Sequence, residues 1–311
     1  MEKQRLYGTN ICVSTKYHYL PDELNGRAFK LLFKHKPIWA HTDVYEVLVK
    51  ASSIFRAQYV VDLIICSLIL YNGPASLEIG SLAAYPIDCN SREKRIYEST
   101  TSEYQNPDIS KACQIAVRAS QKKAYIYSFF KYHLSCNIHT NHFMDLAPYY
   151  KDIPLSPFPY DHLRYSYAIV IAYSILEEIG LEVRASQERP SILQDGKRNP
   201  VVLKDLLERL RAAKVNLEDP LLWHFRGPKK QIELKKPIES KRLAPWSYGQ
   251  IRDCDVSIVD AIYHLSWQRS KVASHKVKKH TRSLSVYDVS NAQHLARRLL
   301  LESLGFWRNE E

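Results

Sequence analysis

The chain has 311 residues, 45% hydrophobic and 25% charged, values that exclude a disordered or collagen-like protein. Its 44 Lys plus Arg exceed 33 Asp plus Glu, a formal net charge of +11, which favours an anionic partner such as nucleic acid or a membrane surface. Nine glycines without a Gly-rich run exclude a phosphate-cradling loop, and no GxSxG nucleophile elbow is present.

No apolar segment follows the charged residues Met1 to Tyr7, so no secretory leader is expected and the chain reads as cytoplasmic. The first 40 residues and the span from Pro74 to Pro107 mix short apolar runs with turn residues and read as short strands or irregular loops. Between them, Thr42 reads as the cap of a helix. Its face runs through Tyr45, Leu48, Val49, Ser52, Phe55 and Tyr59 and stops at Asn72-Gly73. The apolar run from Tyr59 to Tyr71 is shorter than the roughly 20 residues of a bilayer span, so no membrane partner is expected. A second long helix opens at Ser110 and carries Ala112, Ile115, Ala116, Ala119, Ile126, Phe129, Phe130 and Leu134 to Cys136.

Pro148, Pro154, Pro157 and Pro159 forbid regular helix and mark a connector over 151–160. This gives a helical N-terminal region, 1–150, of unassigned role and a C-terminal domain, 161–311. Downstream, Tyr165 to Leu181 is apolar nearly all round before Glu177-Glu178, as in a helix buried within a bundle. Asn199-Pro200 caps a helix bearing Leu203, Leu206, Leu207 and Leu210. A Lys- and Pro-rich excursion over about 219–253 follows. Asp253 or Asp255 caps a third helix through Val256, Val259, Ile262, Tyr263 and Ser266, and Ser285 with Asp288 forms the capping box of a fourth that ends at Gly305. The expectation is a mainly α chain whose C-terminal part is a four-helix bundle.

The six cysteines lack a paired CxxC, which fits reduced thiols. Cys136, His139 and His142, with Asp145 nearby, carry metal-binding side chains, but this spacing matches no closed structural zinc site. No metal and no cofactor is expected.

The charge is local. Residues 226–282 hold 14 Lys plus Arg against 5 Asp plus Glu. One cluster, including Lys229, Lys230, Lys235 and Lys236, lies in the excursion, and a second comprises Arg269, Lys271, Lys276, Lys278, Lys279 and Arg282. Cations of this kind contact phosphates and release counterions. Within the second cluster Arg269 and His275 are separated by five residues where the third helix ends. An Arg provides an always-charged fork for phosphate, and a His moves protons near neutral pH.

Arg269-Ser270-Lys271-Val272-Ala273-Ser274-His275 resembles the Arg-x4-6-His motif of HEPN domains (higher eukaryotes and prokaryotes nucleotide-binding), a resemblance covering residues 161–311. The resemblance implies an all-α bundle, a homodimer that composes one site from two copies of the motif, and metal-independent cleavage of RNA in host defence or as a toxin. It makes Arg269 the phosphate clamp and His275 the general base or acid. Glu177 or Glu178 on the first bundle helix would support them. Ser270 stands where active members often place Asn, Asp or His, a departure that leaves open a non-catalytic module binding RNA or protein. Ser270 would then offer a hydroxyl to phosphate.

Overall fold

The computed structural model describes residues 4–14, 20–36, 44–73, 82–87, 104–106, 108–139, 159–226, 242–243, 251–272 and 284–307. The chain forms two compact units, Met1–Phe130 and Lys131–Glu311. Residues 140–158, which hold the N-terminal part of the expected connector, lie outside the described residues, and Pro159 and Tyr160 already belong to a helix.

The N-terminal unit corrects the expectation of a mainly α protein, because its centre is a seven-stranded sheet. Strands β1 (Arg5–Gly8), β2 (Ile11–Ser14), β3 (Glu23–Asn25), β4 (Lys30–Lys36), β5 (Val44–Ala51), β6 (Tyr85–Pro86) and β7 (Tyr104–Gln105) compose it. Along it the order is β3-β4-β5-β1-β6, with β2 beside β5 and β7 parallel to β2. The helix expected from Thr42 is therefore a strand followed by a helix. Val44, Val47 and Val49 of β5 are buried, and β-branched side chains pack well on a pleated surface. The helix begins only after Ser53, whose hydroxyl accepts from Arg56 N at 3.2 Å.

Helix α1 (Ile54–Asn72) ends at Gly73, whose φ of 86° suits a glycine. At 19 residues and mean hydropathy 1.7 it is long and apolar enough to cross a membrane by length and composition alone, longer than the apolar run read from the sequence, and its window is 56% buried within the protein. It packs on β5 and on α2 (Ile109–Ala119). The second long helix of the sequence reading is two helices, α2 and α3 (Lys123–His139), broken at residues 120–122. Ser120 serves the break by donating to Val117 O at 2.7 Å and accepting from Arg27 N at 3.1 Å.

One irregularity organises the sheet. Tyr7 pairs with Val49 and Cys12 with Glu46, so the four residues Gly8 to Ile11 face only Val47 and Leu48. The surplus makes a bulge, with Asn10 at φ 55°. Glu46 fills it, its Oε1 accepting from Thr9 N at 3.3 Å, Asn10 N at 3.4 Å and the Tyr85 hydroxyl at 2.7 Å. Thr9 closes the other side by donating to Val47 O at 2.6 Å.

The C-terminal unit is not all-α either. Helices α4 (Pro159–Ile179), α5 (Pro200–Ala212), α6 (Ile258–Val272) and α7 (Val286–Leu304) accompany a three-stranded antiparallel sheet of β8 (Leu221–Arg226), β9 (Arg242–Leu243) and β10 (Ile251–Val256). Strands β8 and β9 lie inside the segment read as an exposed excursion, and β10 begins within it and runs past its end. Asp253 and Asp255 are therefore strand residues, and α6 is capped by Ser257, whose hydroxyl accepts from Asp260 N at 3.0 Å.

The other caps follow the sequence reading. Asn199 Oδ1 accepts from Val201 N at 3.0 Å, the Asp288 carboxylate accepts from Ser285 N at 2.8 Å, and Gly305 takes a left-handed φ of 78°. Helix α4 packs against α6 and α7 around Ala168, Ile169, Ala172, Ile175 and Leu176, all fully buried. Burying Ile169, Ile175 or Leu176 contributes about 1.5–3 kcal/mol each.

Candidate functional site

The last turns of α4 and α6 bring Glu177 and Arg269 together. On α4, Tyr173 and Glu177 are four residues apart and share a face, as Ser266 and Arg269 do at a spacing of three on α6. The two faces meet. Arg269 Nη2 donates to Glu177 Oε1 at 3.1 Å, and the guanidinium carbon lies 5.6 Å from the centre of the Tyr173 ring. The Tyr173 hydroxyl donates to Ser266 Oγ at 3.3 Å. Burial pushes the Tyr173 phenol above its ordinary value, while the hydrogen bond with Ser266 acts the other way, so the group stays a neutral donor near pH 7.

Arg269 is thus held on one side and open on the other. Its side chain is 43% exposed and that of Glu177 41%, so the pair positions the guanidinium without contributing more than about 1 kcal/mol to stability. A guanidinium has five N–H donors, and Glu177 takes one from Arg269. The planar fork can receive phosphate oxygens.

The neighbouring candidates divide. Glu178 points to a different quarter of α4 and pairs with Lys131 at 2.8 Å, and Lys131 also donates to Ser174 O at 3.3 Å. It does not join Arg269. Ser270 is exposed, and its hydroxyl donates back to Trp267 O at 2.7 Å within its own helix. Lys271 is exposed, with Nζ 5.9 Å from the Trp267 ring centre. Helix α6 ends at Val272, three residues before His275. His275, Lys276, Lys278, Lys279, Arg282, Lys229, Lys230, Lys235 and Lys236 lie outside the described residues.

Behind the site, Gln268 is buried and donates through Nε2 to Asp288 Oδ1 at 2.7 Å, joining α6 to the capping box of α7. Tyr173, Ser266 and Gln268 were not singled out from the sequence as site residues. Tyr173 reads as one more apolar stripe position, and only its spacing from Glu177 hints that it faces the motif. His162 and His264 are buried packing residues, the latter stacked on Trp267 with ring centres 5.9 Å apart.

Among the described residues no group of three or more His, Cys, Asp and Glu side chains could hold a metal ion. Burial pushes the Cys136 thiol up to about 12, which keeps it protonated at neutral pH; the His139 side chain, His142 and Asp145 lie outside the described residues. Comparison with family models, with curated proteins and with solved structures finds no match.

Proposed function

We propose that the chain is a metal-independent endoribonuclease of HEPN type, acting in the cytoplasm as a homodimer with a composite site. The observation that supports this most is the placement of Arg269. It projects from the end of α6, steadied by Glu177 and the Tyr173 ring, at the point where the chain enters the basic segment that contains His275.

In this reading one histidine takes the proton of a 2′-hydroxyl and O2′ attacks the adjacent phosphorus. The bond from phosphorus to O5′ breaks, and a second protonated group, His275 of the other copy, donates a proton to the leaving O5′. Arg269 stabilises the charge that builds on the non-bridging oxygens. The products are a 2′,3′-cyclic phosphate and a 5′-hydroxyl. The experiment that tests this chemistry is end-group analysis of cleaved RNA beside a strand with 2′-deoxy sugars throughout. Cyclic phosphate ends and an intact deoxy strand are expected; cleavage of the deoxy strand contradicts the proposal.

One observation favours a second reading. The Ser270 hydroxyl is committed to Trp267 O and gives phosphate nothing beyond Arg269, which suits a module that binds RNA without cutting it. Retained RNA affinity with no cleavage would select it.

A further inference from the structure

Strand β8, helix α7 and the chain just after it line an open-mouthed cavity of about 310 Å³, at the small end of the roughly 300–1,000 Å³ usual for ligand sites. His224, Ser290, Asn291, His294, Arg298 and Trp307 line it. Two of these are already committed. Asn291 accepts from His224 N at 3.0 Å and donates to His224 O at 2.8 Å, so its amide serves the edge of β8. Arg298 donates to the carbonyls of Asn216, Asp219 and Pro220 and to Glu302 Oε1, at 2.8 to 3.2 Å. They make a fixed wall.

The rest of the lining sets the chemistry of a guest. The Trp307 indole N–H is buried and has no hydrogen-bond partner among the described residues; it can only donate. The His294 ring stands edge-on to Trp307 at 5.9 Å, and His224 edge-on to Tyr287 at 5.8 Å. Each imidazole has a flat face and ring nitrogens that donate or accept. Among the described residues lining the cavity Arg298 is the one cation, and it is paired with Asp219 and Glu302, which favours an uncharged guest; Arg297 lies outside the lining, its guanidinium carbon 5.3 Å from the centre of the Trp307 ring. A flat, uncharged heterocycle with an acceptor on its edge meets these conditions.

The surroundings suit what such a ring is attached to. Two residues beyond His224, about 7 Å of extended chain, β8 reaches Arg226, the first cation of the basic excursion. We infer that this cavity takes one unstacked nucleobase of a single RNA strand, so that the C-terminal unit reads a nucleotide at a place separate from Arg269. Bases are read this way when splayed from single strands onto aromatic and hydrogen-bonding groups. The inference rests on the RNA reading of the preceding subsection.

Photo-crosslinking of the full chain with single-stranded RNA carrying 4-thiouridine at varied positions tests it, with peptide mapping of the adducts. Adducts on residues 219–226 or 290–307 are expected, unchanged in Arg269→Ala. Trp307→Phe, which keeps a ring but loses the N–H, should weaken RNA binding about 3–10-fold, and Ser290→Phe, which fills the cavity, at least as much. RNA bound with adducts only elsewhere overturns the cavity assignment and leaves the RNA reading standing. No RNA binding by the wild-type chain overturns both. The wild-type crosslink decides the matter even if a variant fails to fold.

Discussion

Glu177 on α4 receives a hydrogen bond from Arg269 on α6 at 3.1 Å, although 92 residues separate them in the chain. Both side chains are partly exposed, so the contact matters for where the guanidinium points more than for stability. Glu177→Gln should therefore leave the unfolding free energy within about 0.5 kcal/mol of wild type while lowering RNA cleavage several-fold. Glu178→Gln, which touches Lys131 instead, should leave cleavage unchanged. Equal losses in the two variants would show that the pairing does not position Arg269.

The bulge between β1 and β2 depends on one carboxylate. Glu46→Ala leaves the Thr9 and Asn10 amides and the Tyr85 hydroxyl without their acceptor. It should destabilise the chain by about 2–4 kcal/mol in urea unfolding, and Tyr85→Phe by about 1 kcal/mol. Gly8→Ala is expected to be as harmful as Glu46→Ala, because a Cβ there would sit 2.2 Å from Tyr85 Cζ. A wild-type midpoint for Glu46→Ala would mean that the bulge is held by other contacts.

A buried carboxyl gives the C-terminal unit a pH signature. Burial pushes the Glu302 carboxyl above the usual carboxylate range, with Arg298 opposing the shift and Asp219 adding to it. The folded chain then holds the proton more tightly than the unfolded chain. This contribution to stability is full below the ordinary carboxylate value and is lost as pH rises through the raised one. Glu302→Gln removes that titration. Its unfolding free energy relative to wild type should thus increase from pH 4 to pH 7, measured by urea melts, and a pH-independent difference would contradict the assignment.

The basic excursion makes an electrostatic prediction that needs no catalysis. If Lys229, Lys230, Lys235 and Lys236 each neutralise a phosphate of single-stranded RNA, replacing all four by Ala should reduce the log-log salt slope of binding by about 3. Filter binding across 50–300 mM salt would show it. An unchanged slope places the contacts elsewhere.

How much of this was legible in the sequence follows from which signals compete. The caps at Asn199, Ser285 and Gly305 use side chains and backbone freedom that act locally, so the helices they bound could be read directly. Strand β5 could not, because Val44 to Ala51 runs straight into the Ser53 cap and its apolar residues fit helical spacing as well as alternation. Its identity comes from β4, β1 and β2, contacts that no local window contains. Strands β8 and β10 were hidden similarly: 24 residues separate Arg226 from Ile251, most of them polar or proline-rich, and Asp253 and Asp255 mimic caps. At the site, Arg269 and the acidic pair on α4 stood out by motif and position, but the 100° between successive helical residues decides that Glu177 and not Glu178 meets Arg269.

The central claim is tested most directly by incubating labelled RNA with wild-type, Arg269→Ala and His275→Ala protein in EDTA. The account predicts cleavage by the wild type despite chelation and its loss, by a factor of at least about 10², in both variants. Cleavage that either variant retains at the wild-type rate would contradict it.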